Sequence, residues 1–170
     1  MTENTIAKEF FTAGMGEFTN FHYDKALELL TRAIDADPAY TMAIVGRGAA
    51  YLKLDMLDKA RDDFDRAVRN DPDYARAYHM RGLVSEKRGD DHTALNDFDQ
   101  AIDLNPEYGA AYYSRAALHA KMANTEKAQE DIEMVAQLGS RNMESYMNEN
   151  NVWQTQQMRV EDAIETELQR

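Results

Sequence analysis

Cysteine is absent from all 170 residues, which excludes disulfides and thiol chemistry and suits a reducing compartment. Long apolar runs are absent as well. No stretch approaches the ~18 apolar residues of a membrane span, and the start, MTENTIAKEFF, has no basic region leading into an apolar run and a small-residue cleavage site. A soluble, cytoplasmic protein with no membrane partner is expected. Basic residues are scarce: 19 Lys and Arg stand against 31 Asp and Glu, a net charge of −12. Phosphate backbones and anionic lipid require clustered Lys and Arg, so no nucleic acid partner is expected either. The acid is spread along the chain, and its plainest role is a solubilising surface, with a site for a basic partner as the alternative.

Also missing are the arrangements that carry chemistry. There is no glycine-rich phosphate loop, no Gly-x-Ser-x-Gly elbow and no cysteine nucleophile. Of the four histidines, His22 and His92 fall in turns, His79 on a helix and His119 at a packing position, and no two have the i, i+4 spacing of a helical metal site. Adjacent acids such as Asp62/Asp63 and Asp90/Asp91 point in different directions on a helix or sit in a turn, and no calcium-loop spacing occurs. No catalytic, cofactor or metal residue is assigned, and the expectation is that the protein is not an enzyme.

Proline is rare, and its three copies are where the positive signal begins. Pro38, Pro72 and Pro106 lie 34 residues apart, and the same step joins Gly14, Gly48 and Gly82, and Ala26, Ala60, Ala94 and Ala128. A period near 34 predicts an all-α solenoid of helical hairpins, each contacting mainly its neighbours. Counting back from the prolines gives an N-terminal segment 1–6, four units at 7–40, 41–74, 75–108 and 109–142, and a C-terminal segment 143–170.

In the first half of the units, positions 4, 8 and 11 hold Phe10/Gly14/Glu17, Ile44/Gly48/Tyr51, Tyr78/Gly82/Ser85 and Tyr112/Ala116/His119. In the second half, positions 20, 24 and 27 hold Ala26/Leu30/Ala33, Ala60/Phe64/Ala67, Ala94/Phe98/Ala101 and Ala128/Ile132/Val135. Spacings of three and four put each set on one helical face. Small residues at positions 8 and 20 let two backbones approach, and the large residue at 24 fills the space beside them. Breaks inside the hairpins are expected at Asn20–Asp24, Leu54–Asp58, Arg88–Thr93 and Ala123–Lys127, and the prolines punctuate the joins between them. In the fourth unit, which has Ser140 in place of proline, Gly139 is expected to end the helix and Ser140 to cap the next.

Arg47, Arg81 and Arg115 occupy position 7 of units two to four, and Asp63, Asp97 and Asp131 occupy position 23; the first unit has Ala13 and Leu29 instead. Both members appear and vanish together, which predicts an ion pair between the two helices of each of the last three hairpins. The rival is an arginine ladder for a partner's carboxylates.

On these residues the chain resembles tetratricopeptide-repeat (TPR) proteins, whose motif has a large residue at 4, Gly or Ala at 8, an aromatic at 11, Ala at 20, an aromatic at 24, Ala at 27 and Pro at 32. The resemblance covers 7–142 and is fullest in the second unit, with Gly48, Tyr51, Ala60, Phe64, Ala67 and Pro72. In the end units it departs at Glu17, His119, Ile132, Val135 and Ser140, where a repeat meets water or a cap rather than another repeat. The resemblance implies a right-handed α-solenoid of four TPR hairpins plus a C-terminal capping helix, acting as a protein-binding scaffold.

In that family the first helices line a concave groove through positions 2, 5, 9, 12 and 13. Carried onto this chain, the candidate peptide-binding residues are Lys8, Phe11, Met15 and Phe18 from the first unit and Met42, Val45, Ala49, Leu52 and Lys53 from the second. The later units add Arg76, His79, Leu83, Lys87, Tyr113 and Lys121. The first two units supply a mainly apolar wall, and none of the set is required for hairpin packing. A peptide or helix of a protein partner is the expected ligand, its acidic stretch oriented by Lys8, Lys53, Arg76, Lys87 and Lys121. The family's clamp for a heat-shock chaperone's C-terminal carboxylate needs five Lys, Asn and Arg side chains. Here the corresponding positions are Phe11, Met15, Gly46, Arg76 and Met80, or one unit later Val45, Ala49, Met80, Ala110 and Ser114, of which only Arg76 fits. No such clamp is expected.

Two other occupants suit the apolar wall, the chain's own tail and a second copy. In 143–170, Tyr146, Trp153, Val160, Ile164 and Leu168 form a stripe at helical spacing, expected either on one long helix or on two segments with a break at the polar run Asn148–Asn151. These five residues are expected to cap the fourth hairpin or to contact a homodimer partner, with Trp153 foremost.

Overall fold

A computed structural model describes residues 3–141. Within them the chain forms eight helices: α1 (Glu3–Thr19), α2 (Tyr23–Ala36), α3 (Thr41–Lys53), α4 (Leu57–Asn70), α5 (Ala75–Lys87), α6 (Asp91–Leu104), α7 (Gly109–Lys121) and α8 (Thr125–Arg141). They pair in sequence into four hairpins, each stacked on the next, to give an all-α helical-repeat solenoid. None of these helices is long and apolar enough to cross a membrane. The proposed capping and dimer residues Tyr146, Trp153, Val160, Ile164 and Leu168 lie outside the described residues.

The same local chemistry closes every hairpin. Just past the end of each first helix the chain enters the left-handed region, at Phe21 (φ 63°), Asp55 (59°), Gly89 (80°) and Ala123 (60°). The next N–H then returns five residues to a helical carbonyl, as from His22 to Glu17 at 2.9 Å and from Asn124 to His119 at 2.8 Å. This ends the helix while satisfying its last carbonyls. Only the third turn has the glycine that adopts such a φ without cost.

Between hairpins, Asp37, Asp71 and Asn105 stand one residue before each proline. Their side-chain oxygens accept from the N–H two residues on, at 3.0, 3.3 and 3.0 Å, a local turn that competes with helix. The fourth unit lacks both devices. The structure corrects the expected break there: α8 runs through Gly139 and Ser140 to Arg141. A glycine weakens a helix by only about 1 kcal/mol. With no proline to remove an N–H and clash with the preceding turn, the helix continues.

The large residue at position 24 sets how close the two helices come. Phe64 and Phe98 are fully buried. A Cβ built on Gly48 would lie 2.7 Å from Phe64 Cε1, and one on Gly82 would lie 2.6 Å from Phe98 Cε1. The fourth unit, with Ile132 instead of Phe, carries Ala116 at the matching place. Gly82→Ala is therefore expected to destabilise by about 1–3 kcal/mol through overpacking, although alanine is the better helix former. The double variant Gly82→Ala/Phe98→Leu should recover part of that loss. Urea unfolding of the two variants checks this, and additive effects would contradict it.

The arginine series joins more than one hairpin. Arg47 donates from Nε and Nη2 to Asp63 at 2.8 and 2.7 Å, and Arg115 does the same to Asp131 at 2.9 and 2.6 Å. Arg81 grips Asp97 with its shortest bond, Nη2 to Oδ1, at 2.7 Å. These are the predicted pairs inside hairpins, and they occupy the guanidinium edge that the rival ladder would offer to a partner. The remaining Nη1 reaches back to the preceding hairpin, to Thr31 at 3.4 Å from Arg47, Asp65 at 3.0 Å from Arg81 and Asp99 at 2.6 Å from Arg115. Each arginine thus ties two hairpins. The ring at position 4 or 11 covers the guanidinium, with centroids 6.0, 5.3 and 5.5 Å away at Tyr51, Tyr78 and Tyr112.

Candidate binding groove

The odd-numbered helices lie side by side, and a cavity of about 900 Å³ runs along α1, α3, α5 and α7. Nine of the candidate residues meet there. Phe18, Ala49, Leu52 and Leu83 supply apolar surface, Lys53, Arg76, Lys87 and Lys121 supply charge, and His79 completes the set. Glu86 also lines it; burial, reinforced by the charge of Asp91 and opposed by Lys121, raises its carboxyl above the ordinary carboxylate range.

Six candidates lie elsewhere or are committed to the fold, correcting the expectation that the set is free of packing duties. Val45 is only 3 % exposed and belongs to the core shared by the first three hairpins. Phe11 packs on Tyr40, ring centroids 5.1 Å apart. Met15 fills the gap over Gly46, where a Cβ would come within 3.1 Å of its sulfur. Lys8 borders a separate shallow hollow on α1, and Met42 and Tyr113 are exposed away from the cavity. For Phe11 and Val45 the physical reason is the stacking itself: successive first helices touch, so in the first three units position 5 faces a neighbouring hairpin rather than open solvent.

His79, also at position 5, shows this most clearly. It is 6 % exposed, with Nδ1 3.1 Å from Tyr108 Oη and Nε2 2.9 Å from Ser114 Oγ. Both nitrogens are engaged by the fourth unit and its approach, so the ring has none left for a ligand. Burial, with a smaller contribution from the charge of Arg76, lowers its pKa from 6.5 to about 4.

Three lining residues were missed by the sequence reading: Phe21, Tyr23 and Met80. Phe21 and Tyr23 sit at positions 15 and 17, in the turn and the first residue of α2, beyond the range assigned to the groove. The signal that marked them is an aromatic in a turn, where polar residues normally stand. They form a cluster with Phe18: Phe18 and Tyr23 are 5.4 Å apart at 64°, Phe21 and Tyr23 6.4 Å apart at 89°.

The lysines at position 13 divide by the same turn. Lys87 Nζ donates to Asp55 at 3.0 Å and Lys121 Nζ to Asp91 at 2.7 Å, each reaching one hairpin back, to position 15 or 17. For Lys53 those two positions are Phe21 and Tyr23. Among the described residues neither the Lys53 nor the Arg76 side chain has an ion pair or hydrogen bond.

Comparison with known proteins gives a consistent picture. Two tetratricopeptide-repeat family profiles match residues 18–83 and 75–108, together more than half of the chain. Comparison with curated protein sequences found no match. Among solved structures, TTC0263, a thermophilic TPR protein of Thermus thermophilus, superposes with a TM-score of 0.72 at 21% identity, covering 79% of this chain and 75% of its own. MamA superposes with a TM-score of 0.70 at 20% identity, covering 81% and 80%. The first TPR of Spaghetti (RPAP3), solved bound to the HSP90 peptide SRMEEVD, gives 0.67 at 25% identity, covering 71% of this chain and 95% of that one.

Proposed function

The chain belongs to the tetratricopeptide-repeat family, and from that premise we propose that it is a non-enzymatic protein-interaction scaffold that holds a peptide or helix of its partner in the groove along α1, α3, α5 and α7. The observation that carries this reading is the cavity itself. Its volume of about 900 Å³ matches ligand-binding clefts, it combines apolar surface with a few charged groups, and it lies on the helices left uncovered by the second helix of each hairpin. The peptide complex of the RPAP3 domain supports the same use of the fold. Binding by shape and apolar burial suits a rigid stack that changes little on association.

The test is to select a random peptide library on the full chain and map the best binder by NMR. Shifted amides should cluster at Leu52, Leu83 and their neighbours on the odd-numbered helices. Shifts confined to α2, α4, α6 and α8 would overturn the assignment. The peptide SRMEEVD should not bind below micromolar Kd, since only Arg76 among the clamp positions carries a suitable side chain; submicromolar binding by calorimetry would contradict this. Light scattering on the same sample reports the self-associating alternative, in which the groove or tail joins two copies and a dimer appears without ligand.

A further inference from the structure

We infer that the segment held in this groove is acidic and carries an aromatic side chain, its ring seated against Phe18, Phe21 and Tyr23 and its side-chain carboxylates held by Lys53 and Arg76. This inference rests on the groove assignment above and adds the chemistry of the ligand.

Charge is the first observation. The chain as a whole carries −12, yet the cavity is lined by four cations, Lys53, Arg76, Lys87 and Lys121, and one carboxylate, Glu86. A basic patch in an acidic protein attracts anionic segments and repels cationic ones. Nor are the four cations equivalent. Asp55 and Asp91 already neutralise Lys87 and Lys121, while Lys53 and Arg76 have no such partner within the described residues and both are exposed. Two carboxylates brought by a ligand would complete the pattern that the fold completes elsewhere by itself.

The aromatic cluster is the second. Phe21 is 74 % exposed and holds a left-handed φ of 63°, a conformation that costs a non-glycine residue roughly 1–2 kcal/mol. At the matching turn positions the chain has Asp55, Gly89 and Ala123, so the fold does not require an aromatic there. Its ring meets Tyr23 edge to face and leaves its other surface open at the cavity's α1 end. Such an arrangement accepts a further ring by offset or edge contacts.

The probe is a fluorescein-labelled, C-terminally amidated pentapeptide with Trp between pairs of Glu, titrated against the full chain by fluorescence anisotropy. Amidation removes the terminal carboxylate, and every version carries the same label, so differences between versions report the Glu and Trp side chains. The expected result is saturable binding that weakens about tenfold or more with Gln in place of Glu or with Lys53→Glu/Arg76→Glu, and by a similar factor with Ala in place of Trp or with Phe21→Ala. All three protein positions are exposed, and circular dichroism will show the variants folded. Raised salt should weaken binding. Equal binding of the Gln peptide, or tighter binding of a Lys version, would overturn the inference. So would a full chain that leaves the probe unbound, because its own residues 143–170, which carry Trp153 and an excess of acid, or a second copy, hold the place instead. If the probe fails while library-selected peptides still shift the groove amides, the ligand chemistry is wrong and the groove stands; if neither binds, both readings fall.

Discussion

Arg81→Met is expected to lower the stability of the protein by about 3–5 kcal/mol, the range found when one partner of a buried ion pair is removed, and to reduce Tm by roughly 6–20 °C for a chain of this size. Asp97 is only 4 % exposed, and all three of its bonds to protein donors come from Arg81. Without the guanidinium its carboxylate must stay buried unpaired or take up a proton, and either outcome is costly. Asp65 would lose its cross-hairpin bond at the same time, so the boundary between the second and third hairpins should loosen together with the third hairpin. The double variant Arg81→Met/Asp97→Leu should be markedly more stable than Arg81→Met alone, since apolar residues of similar volume replace such pairs at little cost. Thermal and urea unfolding of the wild type, both single variants and the double variant give the coupling directly. If Arg81→Met left stability unchanged and weakened ligand binding, the arginines would belong to the partner's site and not to the fold.

The second large effect is a loss of stability in acid that traces to His79. In the native protein the ring stays neutral down to about pH 4, whereas in the unfolded chain it takes up a proton near 6.5. Between those values the unfolded state binds more protons, so stability rises with pH and is lost as pH falls from about 6.5 towards 4. At about 1.4 kcal/mol per pH unit, the depression amounts to about 3 kcal/mol in total. His79→Gln removes the titration. Its stability at pH 7 should be below the wild type because the bonds to Tyr108 and Ser114 are altered, and the gap should close or reverse by pH 4.5. Urea midpoints of both proteins across this range provide the measurement; parallel pH profiles would show that His79 does not titrate as its burial requires.

His119 illustrates how far a repeat tolerates imperfection at its end. It stands at position 11 of the last unit, is buried, and its Nδ1 has no hydrogen-bond partner among the described residues. At the same position, Tyr51 of the second unit meets the cations of Arg47 and Lys59, and the fully buried Ser85 of the third accepts from Arg61 at 3.4 Å. Tyr51 thus finds its partners within its own hairpin, and Ser85 finds one in the hairpin before.

Much of the architecture was legible in the 34-residue step. Pairs such as Gly82 with Phe98 and Arg81 with Asp97 lie 16 residues apart, inside one hairpin, where helix periodicity and a short turn leave little freedom. The period therefore carried both the packing and the ion pair. It did not reveal that Arg81 also reaches Asp65, although Asp65 and Asp99 at position 25, with Thr31 before them, were the visible sign.

The groove divides along the same line. Sequence alone determined that first helices at a fixed step place Ala49 and Leu83, and Lys53 and Lys87, in register, because that follows from helix geometry repeated without change. Only the tertiary structure decided which of the registered residues remain open. Val45 and His79 are consumed where one hairpin stacks on the next, and Lys87 and Lys121 are neutralised from the hairpin before. Phe21 and Tyr23 are brought to the cavity by a turn. These outcomes depend on contacts between residues about 30 positions apart, such as His79 with Tyr108 and Lys87 with Asp55. Such contacts are set by the offset between neighbouring hairpins, and a repeat period specifies the rise from one hairpin to the next without specifying which side chains that offset covers.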